Sequence, residues 1–319
     1  MRAYVDENQV EQFARLLPAL GVVRPFDFCS VAPGVLFPPA HHPGALDAFF
    51  FNAAHQFGFW IERDGCYDRP MIAPVGGVER KGSDFLFYCT QRALNRDADV
   101  FNPLRMSAYT EDDWVDMFAD DSGKNPLPMW PEHLEIMRAY PRWLLANATS
   151  PTAIVSACNR EPKPLAALLA ILQTIPGYRE DALRKKAMLL AVMLENRPER
   201  FLHVTDPESA TPIIDYHLQR SALRTGLVRI ADAKLREQLE ARRIVAPEEE
   251  AEIRQATYAA VATLVTRSGL SVAAVDYFFF QNRTRCPEMT EPRCAECPVQ
   301  ALCAKETTLF QPVFRTAAY

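Results

Sequence analysis

Glycine is scarce in this chain of 319 residues: 12 glycines stand beside 25 prolines. So few glycines disfavour the Gly-rich loops that cradle phosphates, and neither a G-x-G-x-x-G fingerprint nor a P-loop occurs. Positive charge is also short. There are 35 Lys and Arg against 40 Asp and Glu, for a net charge of -5. Dedicated duplex-DNA binders are usually basic, because neutralising phosphates carries most of their affinity. A nucleic-acid partner is therefore the less expected one, and it would need a locally basic cleft. No run of 18 apolar residues occurs, so neither a transmembrane helix nor a membrane partner is expected. Residues Met1 to Glu7 lack an apolar signal segment, which makes a cytoplasmic protein the default expectation. With 49% hydrophobic and 24% charged residues the chain can bury a sizeable core, which excludes disordered and low-complexity classes. Composition does not speak to oligomeric state.

The eight cysteines are unevenly spread. Cys29, Cys66, Cys89 and Cys158 stand singly among apolar or turn residues and read as buried structural thiols. The other four crowd together as Cys286-x7-Cys294-x2-Cys297-x5-Cys303. A disulfide framework suits small secreted chains better than a large cytoplasmic one. Four thiolates from one short loop ask for a metal. Zinc ribbons place about 15–20 residues between two C-x2-C pairs, whereas a single such pair is present here. A 4Fe-4S cluster, with one thiolate per iron, fits one compact loop better. Zinc and a metal-free loop are the alternatives. Pro287, Pro292 and Pro298 stiffen the loop, as a preformed cage needs.

The rest of the pattern is mostly helical. Apolar spacing predicts helices over 7–20, 84–94, 111–118, 131–145, 165–174, 181–195, 212–223, 232–243 and 247–268. Residues 45–60 are unusually aromatic, and 61–77 is turn-rich with room for short strands. Pro151, Pro162 and Pro164 mark a junction. Glu248, Glu249 and Glu250 fall in a first turn, where negative charge favours the helix dipole. The aromatic run Tyr277 to Phe280 is expected to pack the cysteine loop against the core. Without βαβ alternation a parallel sheet is not expected.

The second informative segment is Pro212-Ile213-Ile214-Asp215-Tyr216-His217-Leu218-Gln219-Arg220. An acid there opens a helical pattern, the usual place of an N-cap. Asp-x-His-x-x-Arg followed by the four-cysteine loop resembles the helix-hairpin-helix DNA glycosylases that carry an iron–sulfur loop. The resemblance covers the last third of the chain. Those enzymes grip a DNA phosphate on a hairpin with two glycines. The counterpart, Ile175-Pro176-Gly177-Tyr178-Arg179-Glu180-Asp181, keeps one glycine and adds acids. Arg197 stands where the lyase members carry lysine, so Schiff-base chemistry is not implied.

Most of residues 45–230 is similar to a second, related family, the queuosine salvage proteins. The similar blocks are Phe57-Gly58-Phe59-Trp60, Gly82 through Arg92-Ala93-Leu94, Pro126-Leu127-Pro128-Met129, Tyr178 to Asp181 with Lys185-Lys186-Ala187, and Asp215-Tyr216. The usual members lack the cysteine loop, so the chain resembles an iron–sulfur branch of that family. Together the resemblances imply a mainly α, two-lobed helical DNA-glycosylase-like fold with a C-terminal iron–sulfur loop. They imply an N-terminal helical lobe over 1–150 with an aromatic base-pocket segment. A glycosylase-like lobe carrying the catalytic acid follows over 151–283, then the cluster loop and tail over 284–319.

The implied activity is hydrolysis of a small-molecule nucleotide such as queuosine 5′-phosphate, releasing its 7-deazaguanine base. Asp215 would stabilise the oxocarbenium-like sugar or orient water, with Asp181 as a second acid. Phe57, Phe59 and Trp60 would stack on the base, with His55, Gln56 and Tyr216 beside it. Lys185, Lys186 and Arg220 would meet the 5′-phosphate. Cys286, Cys294, Cys297 and Cys303 would hold the cluster. The alternatives are a monofunctional iron–sulfur DNA glycosylase and a non-enzymatic, cluster-bearing sensor.

Overall fold

The computed structural model describes residues 2–21, 30–32 and 35–319, so Cys29 lies outside the described residues. The protein is mainly α. In chain order the elements are β1 (Ala3–Val5), α1 (Glu7–Ala19), β2 (Ser30–Ala32), β3 (Val35–Leu36), α2 (Ala45–Ala54), β4 (Trp60–Arg63), β5 (Cys66–Pro70), β6 (Ile72–Val75), β7 (Val78–Lys81) and α3 (Ser83–Arg96). There follow α4 (Pro103–Met106), α5 (Glu111–Met117), α6 (Trp130–Ala146), α7 (Pro151–Cys158), α8 (Pro164–Leu172), α9 (Lys185–Asn196), α10 (Tyr216–Thr225), β8 (Val228–Ile230), α11 (Ala233–Glu240), α12 (Pro247–Ser268) and α13 (Val272–Asn282). Among the described residues the strands form two-stranded sheets, and β1–β8, β2–β3 and β6–β7 pair antiparallel.

Local chemistry sets the helix starts. Asp6 accepts the Gln9 N–H before α1, and Thr110 and Asp113 cap α5 reciprocally. The Glu249 carboxylate accepts the Ala246 N–H at 2.9 Å, so the acidic run does serve the first turn of α12. Ser150 caps α7 with Pro151 in its first turn. Pro151 therefore begins a helix where the sequence suggested only a junction, because proline's fixed φ suits a first turn. Ser271 likewise caps α13, which carries the aromatic run.

The chain forms two compact units. Unit 1 comprises Met1–Phe26, Glu62–Arg69 and Thr211–Arg315, and unit 2 comprises Asp27–Ile61, Pro70–Ala210 and Thr316–Tyr319. The units interleave along the chain. In unit 1 one buried cluster joins Phe13 and Leu17 of α1, Leu218 and Leu223 of α10, Leu264 of α12 and Phe278 and Phe279 of α13. Val299 of the cysteine loop belongs to the same cluster, as expected of the aromatic run. In unit 2, α2 packs on α9, and the Phe51 ring stacks with Phe101, Trp114 and Phe118. Cys89 and Cys158 are buried, and burial pushes the Cys89 thiol up to about 12. Cys66 is only half-buried, on a strand, β5, whose residues are mostly half-buried. Among the described residues no single helix is long and apolar enough to cross a membrane.

Candidate functional site

In unit 1, Asp215 is the N-cap of α10. Its Oδ1 accepts the Leu218 N–H at 2.9 Å. Among the described residues Oδ2 takes no hydrogen bond, and the side chain is half-buried. One oxygen thus fixes the carboxylate's direction. The preceding Ile213 and Ile214 are buried, and the Arg254 guanidinium donates to the Ile214 carbonyl. Burial, and then the Asp215 charge, push the Tyr216 phenol above its ordinary range, so it stays protonated.

Arg220 lies further along α10 and is 2% exposed. Its Nη1 donates to Gln311 Oε1 at 2.8 Å, and its Nη2 lies 3.0 Å from His217 Nδ1 and 3.5 Å from Glu288 Oε2. Its charge is answered inside the unit by a carboxylate just beyond Cys286. Burial lowers its guanidinium to about 10, with Arg224 contributing. Arg224 donates through Nε to the Leu309 carbonyl and through Nη1 to the Pro287 carbonyl, both at 2.8 Å, and lies 3.5 Å from Cys286 Sγ. The helix that starts at Asp215 is therefore bolted to the cysteine loop.

Cys286, Cys294, Cys297 and Cys303 line one cavity of about 30 Å³ together with Arg224 and Asn282. None is in a disulfide. Burial raises the Cys303 thiol, and the other three cysteines add to it. Among the described residues no group of three or more His, Cys, Asp or Glu side chains is arranged to hold a metal ion. A lone tetrahedral zinc would need its sulfurs about 3.8 Å apart, given Zn–S bonds of about 2.3 Å. A four-iron cube takes one thiolate at each corner iron and uses a wider cage. The four sulfurs are unbridged and line one cavity, with Arg224 beside them.

Four of the similar blocks lie in unit 2, whereas Asp215-Tyr216 lies in unit 1. Gly58 (φ +71°) abuts Met129, where a Cβ would come 3.0 Å from the Met129 Sδ. Gly177 (φ +96°) abuts α2, where a Cβ would come 2.7 Å from the Ala54 Cβ. Only glycine combines those backbone angles with that closeness. Phe57, Phe59 and Trp60 are all buried. The fully enclosed Lys186 donates through Nζ to the carbonyls of Ala54 at 3.2 Å and Ala317 at 2.7 Å, and lies over the Phe57 ring. Lys185 Nζ donates to the Gln56 carbonyl, and Gln56 Nε2 to Asn52. Asp181 is also enclosed. Its Oδ1 accepts the Leu183 N–H and its Oδ2 the Lys186 N–H. Both of its oxygens organise the turn into α9, which therefore starts at Lys185 and not at 181. Arg197, 2% exposed, pairs with Glu199 at 2.7 Å. The Gly177 N–H is given to Glu180 Oε2 at 2.8 Å.

Sequence reasoning missed His133, Glu288 and Gln311. His55 and His133 are fully buried, with their Nδ1 atoms 3.0 Å apart, and the His133 ring stacks on Phe57 at 4.1 Å. No spacing rule links them, since 78 positions separate the two. Burial holds both imidazoles neutral. His133 is lowered to about 3, with the Lys186 charge contributing, and His55 lies well below its usual value, with His133 and Lys186 contributing. The unfolded chain takes up these protons below about pH 6.5, whereas the folded one does not. Their contribution to stability is present above that pH and is lost as pH falls toward 3, by about 1.4 kcal/mol per pH unit for each histidine. Denaturation midpoints at pH 7.5 and 5.0 should show the decline, and His133→Phe should lessen it. A midpoint independent of pH over that window would contradict the neutral pair.

The model of the queuosine salvage protein family matches residues 38–284, and the chain belongs to that family. Membership places the protein in queuosine salvage. No curated protein matches the chain. The cysteine loop from Cys286 onward and the C-terminal segment lie beyond the matched residues.

Proposed function

We propose that the protein is an N-glycosidase that hydrolyses a 7-deazaguanine nucleotide such as queuosine 5′-phosphate and releases the free base. The observation that carries this reading is Asp215: one oxygen anchored on a backbone N–H, the other open, in a half-buried setting. Glycosidic cleavage develops positive charge on the sugar. A preoriented carboxylate stabilises that charge or deprotonates the attacking water. Tyr216, kept protonated, is a hydrogen-bond donor beside it. Phe57, Phe59, Trp60, His55 and Gln56 are assigned to base recognition, Lys185 and Lys186 to the 5′ group, and Asp181 to ordering their turn. Glu180 on the Gly177 N–H and the net charge of -5 both speak against a DNA-gripping hairpin. Mass spectrometry should detect queuine released from queuosine 5′-phosphate. No release, with lesion-bearing duplexes processed instead, would overturn the reading.

The proposal extends to a helical DNA-glycosylase-like fold and to a 4Fe-4S cluster on Cys286, Cys294, Cys297 and Cys303. Such a cluster would tie the loop together; hydrolysis of a glycosidic bond needs no electron. Binding to a cage absent from the unfolded chain contributes directly to stability. Anaerobically purified protein should be brown, and Cys294→Ser should lose most of its iron and visible absorbance and melt at lower temperature. Colourless, iron-free wild-type protein would remove the assignment.

A further inference from the structure

Ile213 and Ile214 stand just before α10 and are buried. The helical ladder begins one residue later, where the Asp215 carbonyl accepts the Gln219 N–H at 3.0 Å. The Ile214 carbonyl lies outside that ladder, and a buried carbonyl left without a partner costs stability. Arg254 supplies the partner. Its guanidinium donates to the same Ile214 oxygen through Nε at 3.3 Å and through Nη2 at 3.1 Å. Arg254 is 6% exposed and stands on α12, one turn beyond the buried Glu250. Glu250 Oε1 in turn accepts from Gln219 Nε2 on α10 at 3.4 Å. All of these residues belong to unit 1.

The peptide group that joins Ile214 to Asp215 is planar, so the direction of its carbonyl also sets the direction of the Asp215 N–H and Cα. Two N–H groups of one rigid guanidinium fix that carbonyl more narrowly than a single flexible donor could. Asp215 continues from this plane in an extended conformation, with φ −110° and ψ −175°, as an N-cap does. Its Oδ1 is then held by the Leu218 N–H at 2.9 Å. The carboxylate therefore has two anchors, one on the backbone before it and one on its own oxygen. Without the first, the peptide plane can turn and carry the carboxylate off the second. A group that acts by its orientation is sensitive to such a turn, since a misplacement of about 1 Å can cost about 10²-fold in rate.

We infer that Arg254 is a positioning residue for Asp215: its grip on the Ile214 carbonyl sets the peptide plane from which the Asp215 carboxylate projects. The inference rests on the reading of Asp215 as the acid of base release. Arg254 acts through the backbone of a residue 40 positions away, so its effect falls on the rate of the chemical step and not on substrate affinity.

The test compares the full chain with Arg254→Met, which keeps most of the apolar stem, and with Arg254→Lys, which keeps the charge and loses the two-pronged grip. The first readout needs no substrate: amide hydrogen exchange at Leu218, which reports the cap bond, and at Leu223, further along α10, followed by NMR. Exchange at Leu218 should be about tenfold faster or more in Arg254→Met, with Leu223 unchanged and Arg254→Lys between. The second readout is queuine release from queuosine 5′-phosphate. kcat should fall about 10²-fold in Arg254→Met with KM within about threefold of wild type, and Arg254→Lys should recover only part of the loss. Should Arg254→Met fail to fold, Arg254→Lys carries the same comparison. Exchange at Leu218 equal to wild type overturns the inference. Equal acceleration at Leu218 and Leu223 also overturns it, because Arg254 would then only hold the helix in place. Selective acceleration at Leu218, with no queuine released by any chain including wild type, upholds the positioning of Asp215 and rejects the glycosidase reading.

Discussion

Asp215→Asn is expected to lose base release by about 10³-fold or more, the scale at which a general base or an electrostatic stabiliser acts. Its melting temperature should hardly move. Asn accepts an N-cap hydrogen bond as well as Asp does, so the bond to the Leu218 N–H survives. Only the negative charge of the open oxygen is removed. Asp215→Ala separates the two roles, because it loses both the charge and the cap. It should be equally inactive and less stable by about 1 kcal/mol. Queuine release and thermal melting, measured on the same preparations, check both statements. Turnover within tenfold of wild type in a folded Asp215→Asn protein would remove Asp215 from the chemistry.

Glu288→Ala is expected to destabilise unit 1 by about 3–5 kcal/mol, the cost of leaving one partner of a buried ion pair without the other. Arg220 and Glu288 have side chains only 2% and 6% exposed, and they lie 3.5 Å apart. Gln311 and His217 would still meet the guanidinium, but neither supplies a compensating charge. Glu288→Gln keeps the shape and a hydrogen-bonding oxygen, so it should cost less. Urea unfolding at pH 7 distinguishes them. A loss below about 1 kcal/mol in Glu288→Ala would show that Arg220 does not depend on this carboxylate. Because Glu288 follows the Cys286-Pro287 pair that Arg224 holds, the Ala variant should also loosen the cysteine loop.

Much of the candidate site was legible. Asp215 reads as an N-cap from the two isoleucines before it and the helical pattern after it, and its Oδ1 does cap α10. The acidic run at Glu248–Glu250 and the aromatic run before the cysteine loop were equally readable. Pro151 was misleading because proline both ends and begins helices, and Ser150 before it was the signal for a beginning. The resemblance implied, beside Asp215, a second acid in Asp181. Two backbone N–H groups take both its oxygens, a detail of turn geometry that spacing does not encode.

The sequence alone determined that the protein is mainly helical, where most helices lie, that four cysteines share one loop, that Asp215 heads a helix, and which family the chain resembles. Periodicity, capping and motif spacing act over a few residues, so they can be read along the chain. Only the tertiary structure decided that Arg220 faces Glu288 and Gln311, that His55 meets His133, and that Lys186 gives a hydrogen to Ala317. Those partners lie tens of residues or more apart. Their pairing follows from how helices pack to bury apolar faces, and an enclosed charge left without a partner would cost stability.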